Sequence, residues 1–422
     1  MISRRDMLLL SGAGLAMPSR LLGRPVDGER KFLFIYCKGG WDTLKVFTPM
    51  SGSSLIEQDA GSTEAEAGGI IFADHEERPM VREFFETWGH KAAVINGLEV
   101  RSITHERCRR ILMTGSGEGT NDWAVALSAN TPLYYPLPHL VVTGPAFAGR
   151  DGSGVVRAGE NGQLADLLGS AARRASDQPV RPTTDRMAAL EERFLQSRIE
   201  RFRAGASKGS QARFGRQYAE ALDNLGILRD RSDSIVLDPV SEGCRRSVAE
   251  DAKTALTCFE LGLSRCAMVQ DLGWCSGGWD SHSNLMHQDW SYDELFGYLA
   301  DIMGELEVRT GTSGRPLSEE VTVVVMSEMG RHPQMNSAGG RDHWTFTSAM
   351  LLGSGVRGGQ VIGGLTDEFM GKPIDLASGD LYASGTGLLP NHLGATLLTL
   401  AGLDPADVLG SDAEAILGAI DP

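Results

Sequence analysis

The sequence predicts an α/β fold: a three-layer sandwich with a mainly parallel central sheet and helices on both faces. Three observations carry that expectation. Short, continuous apolar runs alternate with amphipathic stretches of helical period, which is how strands buried on both faces look. The clearest runs are Lys31–Cys37, continuous and apolar, and Val321–Met326, nearly pure β-branched; both stop at polar residues or glycines. Apolar residues make up 41% of the 422, enough for a sizeable core.

The chain opens with Ser3-Arg4-Arg5-Asp6-Met7, then Leu8-Leu9-Leu10 and a Gly/Ala-softened run to Met17. That run is too short to span a bilayer as a helix, but it suits the apolar part of an export signal. It resembles the twin-arginine motif, with Met7 where Phe is usual; the competing reading is an ordinary amphipathic helix. Residues 1–30 are expected to be a leader read by the twin-arginine translocase, delivering the chain to the periplasm or beyond. No A-x-A cleavage site follows, so membrane contact is expected only through an uncleaved leader. Of six cysteines, Cys37 is expected in a core strand and most thiols reduced, because such cargo folds before export. A pair among Cys244, Cys258, Cys266 and Cys275 stays open.

In chain order, strands are expected at Lys31–Cys37, Ala92–Ile95, Leu140–Thr143, Arg265–Asp271, Val321–Met326 and Gly359–Ile362. Helices are expected at Val81–Trp88, His105–Met113, Gln163–Ala175, Ser247–Leu261, Ser291–Leu306 and Leu393–Leu403. Asp185–Ala206 and Gln211–Leu228 are long, charged and heptad-like, with Leu190, Phe194, Ile199 and Phe202 on one side. They read as an inserted helical hairpin or cap around residues 183–232, or as two helices of the main layers. The rest of residues 31–422 reads as one α/β domain. A net charge of −15 opposes binding to nucleic acid and to anionic lipid.

In such sheets, ligands gather beyond the carboxyl ends of the strands. Four junctions there carry ionisable residues beside glycines: Gly39-Gly40-Trp41-Asp42, Gly278-Trp279-Asp280-Ser281-His282, Ser327-Glu328-Met329-Gly330-Arg331-His332 and Gly340-Arg341-Asp342-His343-Trp344. Asp280 and His282 are two apart, so in extended backbone both side chains face one way and can grip one ion. Asp42 and Glu328 add oxygen ligands, and His343, with Asp342, closes the set. Such mixed donors favour Zn²⁺ or Mn²⁺, with Mg²⁺ or Ca²⁺ less natural. Taken singly, each acid is as well explained as a turn former or cap; their convergence is what a shared site requires. Arg331 either pairs with Glu328 or binds an oxyanion. His332 reads as a loop residue, and Trp41, Trp279 and Trp344 as packing. Ser102 or Thr104 reads as an N-cap of the following helix, with Thr104 also a candidate hydroxyl at that terminus.

These residues resemble the bacterial exported family known as domain of unknown function 1501, over nearly the whole chain. The most specific part is Ser327-Glu328-Met329-Gly330-Arg331-His332-Pro333, then Asn336 and Gly340–Trp344; the family usually has Phe at position 329 and Thr at position 332. The family looks like a distant branch of the alkaline phosphatase and sulfatase superfamily. The resemblance implies that Asp42, Asp280, His282 and His343 occupy metal-binding positions. It also implies that His105, nine residues before Thr114-Gly115, fills the nucleophile slot, as a further ligand or an acid/base. The expected activity is hydrolysis or transfer of phosphate or sulfate esters, on small molecules or polymers. The alternative is a binding or assembly protein that keeps the shell without turnover.

Overall fold

The computed structural model describes residues 29–50, 53–149, 151–158, 185–205, 209–230, 247–274, 278–410 and 412–421. The leader, the expected helix Gln163–Ala175, Cys244 and Cys275 lie outside them.

The first strand, β1 (Lys31–Cys37), is buried along its whole length. Leu33, Ile35 and Cys37 enter one apolar core, and Phe32, Phe34 and Tyr36 enter another on the opposite face. This period of two places β1 in the middle layer of three. A hairpin follows, β2 (Thr63–Ala67) and β3 (Ile70–Asp74). Then come α1 (Pro79–Trp88), β4 (Ala92–Glu99), α2 (His105–Thr114) and α3 (Trp123–Ala129). Short strands β5 (His139–Val141) and β6 (Val155–Arg157) precede two long helices, α4 (Asp185–Gly205) and α5 (Gly209–Asp230). The chain continues through α6 (Val248–Glu260), β7 (Cys266–Asp271), α7 (Met286–Val308) and β8 (Val321–Ser327). It ends with β9 (Gly330–Arg331), β10 (His343–Trp344), β11 (Phe346–Gly353), β12 (Gln360–Gly363), α8 (Pro390–Leu400) and α9 (Pro405–Leu409).

Eight strands form the central sheet in the order β12-β4-β11-β8-β1-β7-β5-β6. Only β11 runs antiparallel to its neighbours, β4 and β8. Helices α1, α6 and α7 cover one face, and α2, α3 and α8 the other. The expected three-layer, mainly parallel α/β architecture is therefore present.

Sequence reading gave no strand at β11, because Thr347 and Ser348 interrupt its apolar run at a shift in register with β4. Its direction matters for the site. Since β8 leaves the sheet at its carboxyl end and β11 re-enters there, everything from Glu328 to Thr345 stays at one edge. The loops after β1, β4 and β7 open at that same edge.

The two long helices are present and pack against each other. Their expected apolar side does not face a core throughout: Ile199 is buried, but Leu190 and Phe194 are more than half exposed. Cys37, Cys108, Cys258 and Cys266 are buried free thiols, which removes Cys258 and Cys266 from the pairing left open above. Burial pushes the Cys258 thiol up to about 12.

Candidate metal centre

The site begins where β1 ends. Gly39 has φ +132°, and a Cβ there would sit 2.7 Å from the backbone nitrogen of Asp280, so only glycine lets these two loops touch. The freed Gly39 N–H donates to both oxygens of Glu328, at 2.9 and 3.1 Å. Glu328, first residue past β8, is buried. Gly340 plays the matching part on the other side: its Cβ would lie 2.1 Å from the carbonyl carbon of His282.

Three imidazoles converge on Asp280, each held from behind. His105, at the start of α2, has Nδ1 2.9 Å from Glu328 Oε1. His282 has Nδ1 3.2 Å from Asp342 Oδ1. His343 has Nδ1 2.7 Å from the carbonyl oxygen of Ile103. Each of these partners is an acceptor, so each Nδ1 carries a hydrogen, which leaves Nε2 as the atom that would face a bound cation.

The Nε2 atoms face one another and one carboxylate. His282 Nε2 and His343 Nε2 are 2.9 Å apart. Asp280 Oδ2 is 3.5 Å from His105 Nε2, and its Oδ1 is 3.3 Å from His282 Nε2 and 3.7 Å from His343 Nε2. Four acceptors gathered this way repel unless protons or a cation lie between them. Ligand atoms of His105, Asp280 and His343 all fall within 4.8 Å of one another, a span that one ion can bridge. A nitrogen-rich set with one carboxylate, each ring fixed by an outer hydrogen bond, fits a borderline divalent cation such as Zn²⁺.

The titration behaviour follows from the same contacts. Hydrogen bonds to Asp280 and Glu328 push the His105 imidazole up to about 9. Desolvation alone would raise the Asp280 carboxyl, but hydrogen bonds from His105, His343 and Arg331 hold it far below the usual carboxylate range. Burial likewise opposes ionisation of Glu328, and His105 with the Gly39 N–H outweighs it, leaving the carboxyl lowered. Asn336 first, then His282, lowers Asp342.

Asp280, His282, His343, Glu328 and Asp342, all expected as ligands, therefore meet in one connected cluster with His105. Within it Glu328 and Asp342 stand behind imidazoles. Asp42 is a correction. Its carboxylate lies apart from the cluster, fully buried, with Oδ1 accepting the Leu44 N–H at 3.1 Å and Oδ2 3.1 Å from Arg341 Nε. Burial raises its pKa, against the pull of Arg341 and Lys45.

Arg331 is a second correction, for it does not pair with Glu328; its guanidinium is committed to four backbone carbonyls and to Asp280. Its Nε donates to Gly40 O at 2.8 Å and its Nη1 to Arg341 O at 3.1 Å. Its Nη2 reaches Asp280 Oδ1 at 2.6 Å and Trp279 O at 3.1 Å, as well as Gly39 O. A fully buried guanidinium thus ties three loops together and orients Asp280. Thr104 is the N-cap residue of α2, but makes no side-chain cap. Among the described residues, its exposed hydroxyl meets only that of Ser102, at 3.4 Å.

Sequence reading missed the part played by Arg341. Besides its ion pair with Asp42, it donates to His332 O at 3.1 Å and to Glu57 O, and its own N–H bonds Ser281 O at 3.1 Å. It therefore fixes the segment carrying Asp342 and His343 to the one carrying Asp280 and His282. An arginine between glycine and Asp-His was visible in the sequence, but nothing local distinguishes it from a surface cation.

A family model described as "Protein of unknown function (DUF1501)" matches residues 29–413. No curated protein matches the sequence. Among solved structures, the C-terminal periplasmic domain of EcEptC from Escherichia coli overlaps 92% of this chain and 86% of its own, at 10% identity and TM-score 0.42. The soluble domain of lipooligosaccharide phosphoethanolamine transferase A from Neisseria meningitidis overlaps 95% of this chain and 96% of its own, at 9% identity and TM-score 0.38. A sulfatase from Pseudoalteromonas sp. overlaps 93% and 76%, at 10% identity and TM-score 0.34. At such scores and identities the overlaps carry no argument about chemistry.

Proposed function

The chain belongs to the DUF1501 family, and from that premise and its imidazole–carboxylate cluster we propose an exported, metal-dependent enzyme that hydrolyses or transfers phosphate or sulfate esters. The observation that carries the reading is the set of three Nε2 atoms turned on one carboxylate, each imidazole fixed by an acceptor behind it. His105, Asp280 and His343 would hold the ion, with His282 at the rim; Zn²⁺ or Mn²⁺ suits these donors best. A cation bound there supplies polarisation of an ester oxygen and a lowered pKa for a nearby water.

The protein's own groups do the rest. Arg331 keeps Asp280 ionised and aimed, and Glu328 and the Ile103 carbonyl hold the tautomers of His105 and His343. His282 is 44% exposed, and its Nε2 can take the proton of an attacking water while Asp342 steadies its Nδ1–H. Among the described residues, none of the hydrogen bonds of His105, Asp280, His282 or His343 goes to a hydroxyl or thiol. Water is therefore assigned as the attacking group, without a covalent ester intermediate.

The same lack of a nucleophile favours a second reading, a binding protein that captures an anionic ester without turnover. Elemental analysis of purified protein, with assays on an aryl phosphate and an aryl sulfate, separates the two. Stoichiometric metal and turnover, both lost in Asp280→Ala, are expected for the enzyme; full activity in that variant would end the reading.

We assign residues 1–30 to a twin-arginine leader and residues 183–232 to an insertion in a single domain spanning 31–422. Buried free thiols agree with folding in a reducing compartment before export. No helix among the described residues is long and apolar enough to cross a membrane.

A further inference from the structure

Resting on that ester-site reading, we propose that the substrate carries a second anionic group, and that this group docks on an arginine-lined stretch beside the cluster. The chain has a net charge of −15, so cations left without carboxylates at one edge of the sheet stand out. Helix α2 begins with His105 and carries Arg107, Arg109 and Arg110 within its first two turns.

Arg109 is one turn beyond His105, on the same face of the helix. Its Nε is buried without a hydrogen-bond partner, and its ion pair is with Glu106, itself 82% exposed. Arg109 is close enough to Glu328 and Tyr36 for its charge to couple to both. The Arg110 guanidinium lies 4.5 Å from the ring centroid of Phe147, which holds a planar cation in place without neutralising it. Phe147 follows β5, a strand parallel to β7 and so to β1, and its loop shares the carboxyl edge with the cluster. Arg107 is exposed beside Gly117. Lys38 is exposed at the end of β1, one residue before the Gly39 N–H that holds Glu328.

Among the described residues, no carboxylate pairs with Lys38, Arg107 or Arg110. Glu106 and Glu118 are the exposed acids nearby in sequence, and only Glu106 pairs with an arginine of this group. Guanidinium groups match the oxygens of sulfate, phosphate and carboxylate with paired hydrogen bonds. An acidic protein repels an anionic substrate at long range, so a local patch of this kind is what draws one to the site. The substrate class is a soluble ester with a sulfate, phosphate or carboxylate next to the reacting group.

The test is binding, read by titration calorimetry with sucrose octasulfate as probe and inorganic sulfate as the single-anion control, at low and high salt. Wild type should bind the octasulfate more tightly than sulfate, and salt should weaken it. The Arg107→Gln/Arg110→Gln double variant should lose about tenfold of the octasulfate affinity while its melting temperature and its affinity for sulfate stay put. Arg82→Gln, which removes an exposed charge on α1 that pairs with Asp74 of β3, should bind as wild type does. The proposal is overturned if the octasulfate binds no better than sulfate, if the double variant binds it unchanged, or if Arg82→Gln loses as much. None of these outcomes needs turnover, so they are distinct from a failure of the ester-enzyme reading, which shows as absent metal or absent hydrolysis.

Discussion

Replacing Arg341 with Met tests whether Asp42 is one half of a buried ion pair. The side chains of Asp42 and Arg341 are 0% and 1% exposed, and Oδ2 and Nε are 3.1 Å apart. Met keeps most of the stem but removes the charge, leaving a carboxylate in a dry site. Removing one partner of such a pair costs about 3–5 kcal/mol. A second route gives a similar figure. The stranded carboxyl can escape by taking a proton, and from an ordinary value of 3.8 to neutral pH that costs about 4 kcal/mol. At about 2 °C per kcal/mol for a large domain, the melting temperature should fall by about 8 °C. Adding Asp42→Asn removes the orphaned charge, so the double variant should recover part of the loss, while the Arg341 hydrogen bonds to His332 O and Glu57 O stay broken. Scanning calorimetry on the three proteins reads this directly. A single variant costing under about 1 kcal/mol, or a double variant no more stable than Arg341→Met alone, would refute the pairing argument.

Other expectations follow from the same contacts. Glu328→Gln should weaken metal binding about 10–100-fold by loosening the His105 ring, measured by competition with a chelator; unchanged affinity would mean Glu328 does not orient that ligand. His139 is fully buried with neither ring nitrogen bonded among the described residues, and desolvation lowers its pKa to about 3 from 6.5. Its folded-state value is depressed, so its contribution is intact above pH 6.5 and is lost as pH falls toward about 3, by about 5 kcal/mol in all. His139→Leu should flatten the acid limb of stability against pH by one proton; an unaltered limb would show that His139 does not drive it.

Most of the architecture was legible along the chain. Lys31–Cys37 and Val321–Ser327 announce central strands because every residue in them is buried, and a largely apolar or β-branched run is what that demands. The cluster was legible in part for the same reason: strand ends in a parallel sheet share an edge, so Asp280, His282, Glu328 and His343 were expected together. His105 entered only through a family resemblance, since a lone histidine opening a helix carries no local sign of a site.

What the sequence determined by itself was periodicity, and with it the layers, the sheet and the edge where acids and imidazoles collect. Which acid meets which base was decided only by tertiary structure. Asp42 reads like any strand-end ligand until Arg341 arrives from the loop after β8, and Arg331 reads like an anion binder until four carbonyl oxygens and the Asp280 carboxylate take most of its donors. Strand β11 is recognisable only from the two strands that bracket it. The physical reason is range. Burial patterns are written locally, within a turn or a pleat, whereas a charge is assigned by whichever partner the approach of distant loops leaves within hydrogen-bond distance.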